Sequence, residues 1–211
     1  LGKMQEDGVL RYVFEECAVL NAHLFTIMDE ASLNKLSLAQ RLALLMVEYP
    51  TKETMRQLEA LRTSRALQRK TANFHEKLGY LPAPRKPDLR VFNHVLGYDA
   101  KAHLLILQIC CSAPINLHTG LVLVADTVDE VIRQWNDVEL SPTPIPCLVD
   151  GHWIMSRTGS VEGSRLGRLK EWLHRIQIEE EIVSREEMEV ALSRLPFEHG
   201  SHEEWPTVSF P

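Results

Sequence analysis

Hydrophobic side chains recur every three or four positions through the first part of the chain, which predicts a run of helices. Residues 8–30 place their apolar side chains on one helical face. Ser37 and Gln40 have the spacing of a capping box and open a second helix. A third helix is expected over residues 52–78. We therefore predict that residues 1–81 form a region of three helices.

The hydrophobic pattern changes after this region and indicates β-strands. Residues 102–111 and 119–125 are apolar on both faces of an extended chain, which is typical of internal strands. Residues 89–96 are a further candidate strand. Asp150 and Gly151 form a two-residue turn signal between apolar runs, which predicts a β-hairpin. We therefore expect a small mixed sheet in the second half of the chain.

Helices are expected to flank this sheet. A short helix is predicted from Thr127 to about Trp135, and an amphipathic helix over residues 164–183. Ser184 and Glu187 form another capping box, which opens the last helix. The predicted fold class is therefore α+β: three N-terminal helices followed by a small mixed β-sheet with flanking helices.

Proline residues indicate the domain boundary. Pro82, Pro84 and Pro87 lie in a short basic stretch, and residues that precede proline disfavour the helical conformation. We therefore interpret this stretch as an extended linker. The predicted organisation is a helical region at 1–81, a proline-rich basic linker at 82–88, an α/β domain at 89–196 and an acidic tail at 197–211.

The composition is that of an ordinary globular protein, but its charge is unevenly distributed. The 211 residues are 45% hydrophobic and 25% charged, with a net charge of −6. Residues 52–90 contain ten Lys or Arg against four acids, whereas residues 179–211 contain nine acids against two Arg. The chain contains no apolar stretch long enough for a transmembrane helix, so we expect no membrane partner. The chain starts with Leu1 rather than Met, which indicates a longer protein or a processed start.

The basic residues of the predicted third helix and linker are the main candidate binding site. Few apolar residues lie in the middle of this helix, so it is either solvated or covered by a partner. A protein with an acidic surface would be steered and oriented by these charges. Nucleic acid is an alternative, since basic side chains contact phosphates without reading sequence, although few aromatic residues lie among them. The candidate residues are Arg62, Arg65, Arg69, Lys70, Arg85 and Lys86.

Neither a metal site nor a cofactor is expected. The four cysteines, Cys17, Cys110, Cys111 and Cys147, do not have zinc-site spacing. The chain contains no glycine-rich phosphate loop and no recognisable catalytic motif. Free thiols are typical of reducing compartments, so we expect an intracellular protein, cytoplasmic or nuclear.

Residues 119–176 carry a partial resemblance to a known fold family. Their predicted order is strand, helix, proline, hairpin and amphipathic helix, which resembles the C-terminal half of thioredoxin-like folds, including glutathione transferases. The resemblance implies a thioredoxin-like sheet in which Pro146 borders a thiol site formed by Cys110 or Cys111. The family's C-x-x-C motif is missing, and about ten residues between Cys110 and Gly120 are too few for a crossover helix. An antiparallel hairpin is the competing topology.

Three functions remain open on these observations. The first is a non-catalytic protein-interaction module, a subunit or adaptor of an intracellular complex that uses the basic helix as its docking surface. The second is a thiol-dependent or glutathione-binding enzyme of thioredoxin-like fold. The third is a nucleic-acid-binding protein.

Overall fold

The structure, a computed structural model, describes residues 34–113, 115–140 and 144–210. The predicted helix over residues 8–30 lies outside this part of the chain. The described residues form α-helices, two short 3-10 helices at Gly97–Asp99 and His202–Glu204, and no β-strand. The α-helices are α1 (Leu38–Leu45), α2 (Thr51–Ala60), α3 (Arg65–Lys77), α4 (Lys86–Leu96), α5 (Ala100–Cys111), α6 (Ala125–Asp137), α7 (Gly151–Thr158), α8 (Ser164–Glu180) and α9 (Arg185–Arg194).

The chain divides into two compact units. Among the described residues, the N-terminal unit contains those from residue 34 to Leu81 together with those of Asp99–Arg133. The C-terminal unit contains Pro82–Tyr98 together with Gln134–Phe210. The division at Leu81 coincides with the start of the proline-rich stretch, but residues 99–133 belong with the N-terminal helices. In addition, Pro87 lies in the first turn of α4, where backbone N–H groups make no hydrogen bond within the helix, so proline is tolerated there.

The core of the N-terminal unit is built on α3. Helix α3 packs against both α1 and α2. Leu44 from α1, Phe74 from α3 and Ile106 from α5 meet in its main apolar cluster, and all three are buried. Leu58 of α2 and the end of α1 form a smaller cluster beside it. Burial of these side chains supplies the main driving force for the unit's helix packing.

The core of the C-terminal unit is built on α8, its longest helix. This helix packs against α4, α7 and α9. Leu169 and Leu173 are almost fully buried among Ile154 of α7 and Met188 of α9. Trp205, from the predicted acidic tail, joins the same cluster with 7% of its surface exposed. The described part of the tail is therefore packed onto the unit.

The predicted α+β fold, with its mixed or thioredoxin-like sheet, is wrong for the described residues. The candidate strand at 102–111 is helix α5, and the one at 89–96 is helix α4. An apolar run buried all round has no period that separates an internal strand from a buried helix. In α5 His103, Leu104, Ile106 and Leu107 are all buried. Lys101 and Gln108 are exposed on one face of α5, but the apolar Leu105 lies between them, so the run that we interpreted as two covered strand faces is a helix with one narrow exposed face.

The other two β-predictions fail for local reasons. Residues 119–124 are not helical and have no strand partner in the described part of the chain. Asp150 does not form a hairpin turn, because its carboxylate accepts a hydrogen bond from the Trp153 N–H at 2.8 Å and caps helix α7. Aspartate is favoured at both turns and helix N-caps, so the sequence signal was ambiguous.

The predicted third helix, 52–78, is two helices. Helix α2 ends at Ala60 and α3 begins at Arg65. Arg62 lies between them in a left-handed conformation with φ 52°. The Ser64 side chain then accepts a hydrogen bond from the Leu67 N–H and caps α3. The capping serine and the left-handed residue before it fix the break.

Candidate interaction surface

Four of the six predicted binding residues lie together at the start of α3. Arg62 is in the α2–α3 loop, Arg65 is the first residue of α3, and Arg69 and Lys70 follow one turn later. All four side chains are exposed. We call this group the basic surface. It belongs to the N-terminal unit.

The charges of the basic surface have no ion-pair partner among the described residues. Ion pairs in this part of the chain involve other cations, such as Arg56 with Glu53 at 2.9 Å. No carboxylate of the described chain lies within ion-pair distance of Arg62, Arg65, Arg69 or Lys70. The four cations are therefore available to an external anion.

The local electrostatics of the basic surface are unfavourable for the isolated helix. The N-terminus of a helix carries a partial positive charge and is stabilised by acids, yet the first turn of α3 contains none and begins with Arg65. Arg65 and Arg69 are four residues apart, so two like charges lie next to each other on the helix surface. The sequence thus tolerates a cost in helix stability at this position.

Arg62 adds a cost in backbone conformation. The Arg62 N–H donates to the Glu59 carbonyl at 2.8 Å, and the Thr63 N–H donates to the Leu58 carbonyl at 3.2 Å. This pair of bonds closes α2 as a Schellman motif, in which the left-handed position is most often glycine. Here the position holds an arginine at φ 52°. Together with the charges on α3, this places three of the four cations, Arg62, Arg65 and Arg69, where helix stability alone would favour other residues.

The remaining two predicted residues, Arg85 and Lys86, lie in the C-terminal unit at the start of α4. Both are exposed. Arg85 already has a partner, since its Nε lies 2.7 Å from the Asp88 carboxylate. They are therefore a separate feature from the basic surface.

The acidic segment near the C-terminus is engaged by arginines of its own unit. Glu179 pairs with Arg175 at 2.7 Å, and Glu180 pairs with Arg194 at 2.8 Å. Further along, a longer pair at 3.7 Å joins Glu189 to an arginine of α7. Pairing within the C-terminal unit thus takes up part of its acidic segment.

The thiols predicted for the alternative enzyme site lie in an unreactive setting. Cys110 is buried, and burial raises the pKa of its thiol to about 12. Burial also raises the pKa of Cys111. Both are at the C-terminal end of α5, where the helix dipole disfavours a thiolate. Pro146, the third residue of this hypothesis, is exposed and belongs to the other unit.

Buried histidines are a feature that the sequence analysis missed. His75 of α3 lies 2.9 Å from the Met46 carbonyl and 3.1 Å from the Thr51 hydroxyl, and its ring stacks on His118 at 4.4 Å between centroids. Burial lowers the pKa of His75 to about 4. The buried His103 ring likewise lies 2.8 Å from the Tyr80 carbonyl, and burial lowers its pKa to about 4. These neutral rings tie backbone segments together.

Two searches of the described residues, for clusters of metal-binding side chains and for membrane-spanning helices, return nothing. The described part of the chain contains no group of three or more His, Cys, Asp or Glu side chains placed to hold a metal ion. Within the same residues, every helix is too short or too polar to cross a bilayer.

Relatives give no independent guide to the function of this surface. Its interpretation depends on the exposure, charge and backbone geometry described above. Comparisons of the chain with protein-family models, with curated proteins and with solved structures find no match.

Proposed function

We propose that the protein is a non-catalytic interaction module, a subunit or adaptor of an intracellular complex, which docks an acidic protein surface through Arg62, Arg65, Arg69 and Lys70. The observation that supports this proposal is that the four cations are exposed and have no ion-pair partner in the described chain. Free thiols at Cys110, Cys111 and Cys147 support the intracellular part of the proposal.

The energetic cost at this surface strengthens the argument. Arg65 opposes the helix dipole, Arg65 and Arg69 repel each other, and Arg62 occupies a position that favours glycine. An acidic partner reverses the two electrostatic costs, because its carboxylates interact favourably with both the helix N-terminus and the arginines. Such contacts mainly accelerate association and fix orientation, and added salt screens them.

The test is the double charge reversal Arg65→Glu/Arg69→Glu. Glutamate at the start of α3 interacts favourably with the helix dipole, so the melting temperature of this variant should be at least as high as that of the wild type. The partners are first identified by co-purification with the wild-type chain. The variant should fail to bind them, and the difference in binding between wild type and variant should be largest at low salt. Loss of binding in a protein of unchanged or higher thermal stability cannot be attributed to unfolding.

The matched control is Lys52→Glu/Lys101→Glu, which changes the net charge equally within the same unit. Both lysines are exposed and lie outside the basic surface. The control should retain the partners that the test variant loses. Equal retention of every partner by both variants would overturn the proposal.

Nucleic acid is distinguished in the same experiment. A generic DNA duplex and a polyglutamate peptide serve as defined polyanionic probes, each titrated against both variants at low ionic strength. Binding of polyglutamate that depends on Arg65 and Arg69 supports the protein-docking function. Binding of the duplex alone would replace it with nucleic-acid recognition.

A further inference from the structure

Ile145 lies between two prolines, and its backbone polar groups therefore cannot find partners in a regular helix. Pro144 and Pro146 have no N–H, so Ile145 carries the only amide of this three-residue stretch. A residue that precedes proline is also disfavoured in the helical conformation. Since Ile145 is half-buried, side chains have to supply the hydrogen bonds that secondary structure does not provide.

Two histidines supply these hydrogen bonds. The Ile145 N–H donates to Nδ1 of His94 at 3.2 Å, and Nε2 of His174 donates to the Ile145 carbonyl at 2.8 Å. His94 belongs to α4 and His174 to α8, and their rings meet edge to face with the centroids 5.0 Å apart. Helices α4 and α8 pack against each other within the C-terminal unit, which fixes both rings. We call His94 and His174 the histidine clamp.

The two hydrogen bonds of the histidine clamp respond differently to protonation. A backbone N–H can only donate, so Nδ1 of His94 must be unprotonated for its bond to Ile145 to exist. A carbonyl can only accept, so His174 keeps its bond whether its ring is neutral or charged. A proton on Nδ1 of His94 replaces the acceptor with a second donor that faces the Ile145 N–H. Protonation of His94 therefore breaks one half of the clamp and leaves the other half intact.

The surroundings of His94 favour its neutral ring. Burial is the main cause that lowers the pKa of His94 below its ordinary value of 6.5, and the neighbouring His174 lowers it further. Arg90, Glu139 and Glu181 line a cavity of about 60 Å³ beside the ring. Arg90 pairs with Glu181 at 2.5 Å, so Glu139 and the C-terminal end of α4 are the features that favour a charged ring. Since the pKa of His94 is lowered, burial outweighs both.

We propose that the histidine clamp is a pH-operated switch, in which neutral His94 holds Ile145 against α4 and α8 and protonated His94 releases it. Gln177 limits the extent of this release. Its side chain accepts from the Leu148 N–H at 2.9 Å and donates to the Pro146 carbonyl at 3.0 Å. Because an amide side chain does not titrate, Gln177 continues to hold residues 146–148 when the clamp opens. The switch therefore frees the proline-flanked Ile145 and leaves the chain that leads to α7 in place.

The test is amide hydrogen exchange of the wild-type chain as a function of pH, with Ile145 and Leu148 compared in the same sample. The folded state favours neutral His94, so the clamp is complete above pH 6.5 and weakens as the pH falls below this value. The protection of the Ile145 amide, corrected for the intrinsic pH dependence of exchange, should fall by up to about tenfold per pH unit. The protection of Leu148 should change far less. Equal changes in the protection of both amides would overturn the proposal.

Two variants identify the ring that senses pH. His94→Asn places an amide oxygen at the position of Nδ1, so it still accepts from the Ile145 N–H but cannot be protonated. In this variant the pH dependence of Ile145 exchange should disappear. His174→Gln is the matched control, because its amide group still donates to the Ile145 carbonyl, and here the pH dependence should remain. A pH dependence that persists in His94→Asn, or one that disappears in His174→Gln, contradicts the assignment of His94 as the sensor.

Nitrogen NMR of the imidazole rings gives a second readout, which needs no substitution. At neutral pH the proton of the His94 ring should be on Nε2, and Nδ1 should be unprotonated. Nδ1 should gain its proton over the same pH range in which the Ile145 amide loses protection. A neutral His94 with its proton on Nδ1 would overturn the proposal, because this ring could not accept from the Ile145 N–H.

Discussion

Arg62 is the residue at which stability and the proposed function oppose each other most directly. An L-residue in the left-handed region carries a conformational cost of about 1 kcal/mol, which glycine does not pay. Arg62→Gly should therefore raise the free energy of unfolding by roughly 0.5–1 kcal/mol. The same change removes one cation from the basic surface, so binding of the acidic partner should weaken. Urea denaturation and a binding titration measure the two effects.

Arg62→Ala is the matched control for this prediction. It removes the same charge but keeps a Cβ at φ 52°. Both variants should bind the partner more weakly than the wild type, and only the glycine variant should be more stable. Equal stabilities of the glycine and alanine variants would show that the left-handed backbone is not strained.

Residue-scale chemistry was predictable where both partners lie within one turn of helix. Ser37 and Gln40 cap α1 reciprocally, with the Ser37 N–H donating to Gln40 Oε1 at 2.8 Å, and this prediction is confirmed. The box at Ser184 and Glu187 is confirmed in the same way. His75 was not predictable, because the Met46 carbonyl that it contacts lies 29 residues away in sequence.

At the scale of elements, His75 connects three segments. Its ring belongs to α3, accepts or donates at Thr51 and Thr54 of α2, and contacts the Met46 carbonyl at the end of α1. Burial lowers the pKa of His75 to about 4, so the folded state holds the ring neutral while the unfolded state takes up a proton near pH 6.5. The stabilisation is complete above pH 6.5 and is lost as the pH falls towards 4.

We therefore expect the free energy of unfolding to decrease between pH 6.5 and 4. His103 has the same lowered pKa and contributes in the same direction, each histidine adding up to about 1.4 kcal/mol per pH unit. Urea denaturation at a series of pH values measures the slope. His75→Asn should be less stable at neutral pH but should show a shallower slope than the wild type.

His199→Asn controls for the loss of a histidine as such, since His199 is exposed and lies outside this cluster. His75→Asn should flatten the pH dependence of the free energy of unfolding more than His199→Asn does. If His75→Asn had the same pH dependence of the free energy of unfolding as the wild type, protonation of His75 would not be a cause of the loss of stability at low pH.

Element types were predictable for amphipathic helices and failed for uniformly apolar runs. The helix predicted over residues 164–183 is α8, Ser164–Glu180, since alternation of buried and exposed positions specifies both the type and the face. In helix α5 the apolar Leu105 lies on the same face as the exposed Lys101 and Gln108, so the hydrophobic pattern does not show this face, and the length of 12 residues is the better guide to its type. Residues 119–125 have a strand pattern but lack a partner strand in the described chain, and a pattern alone cannot supply one.

At the scale of the whole molecule, opposite charges are sorted between the units. The unpaired cations of the basic surface lie in the N-terminal unit, and the arginine-paired acids near the C-terminus lie in the other. The charge map could be read from sequence, since it requires only counting. The sequence could not show which of these charges remain unpaired. Some acids pair with arginines that are distant in sequence, as Glu181 does with Arg90 at 2.5 Å.

The C-terminal tail, predicted as an acidic extension, belongs structurally to the C-terminal unit. Arg168 donates to the Glu203 carbonyl at 2.6 Å, and Arg175 donates to the Thr207 carbonyl at 3.1 Å. The Trp205 ring lies 5.5 Å from that of Trp172, and the guanidinium of Arg165 lies 5.2 Å from its centroid. The tail is thus held by arginines through its backbone and by aromatic contacts, of which the buried Trp205 is the central one and Phe210, 4.9 Å from the Phe92 ring, is another.

Removal of the Trp205 side chain should destabilise one unit selectively. Trp205→Ala leaves a cavity against α8 and should cost about 3–5 kcal/mol. Amide exchange should therefore accelerate in α7, α8 and α9, while α1, α2 and α3 of the N-terminal unit keep their protection. The exposed neighbour Glu204 provides the control, and Glu204→Ala should leave the exchange of all six helices unchanged. Uniform loss of protection across both units in Trp205→Ala would show that the two units unfold as one.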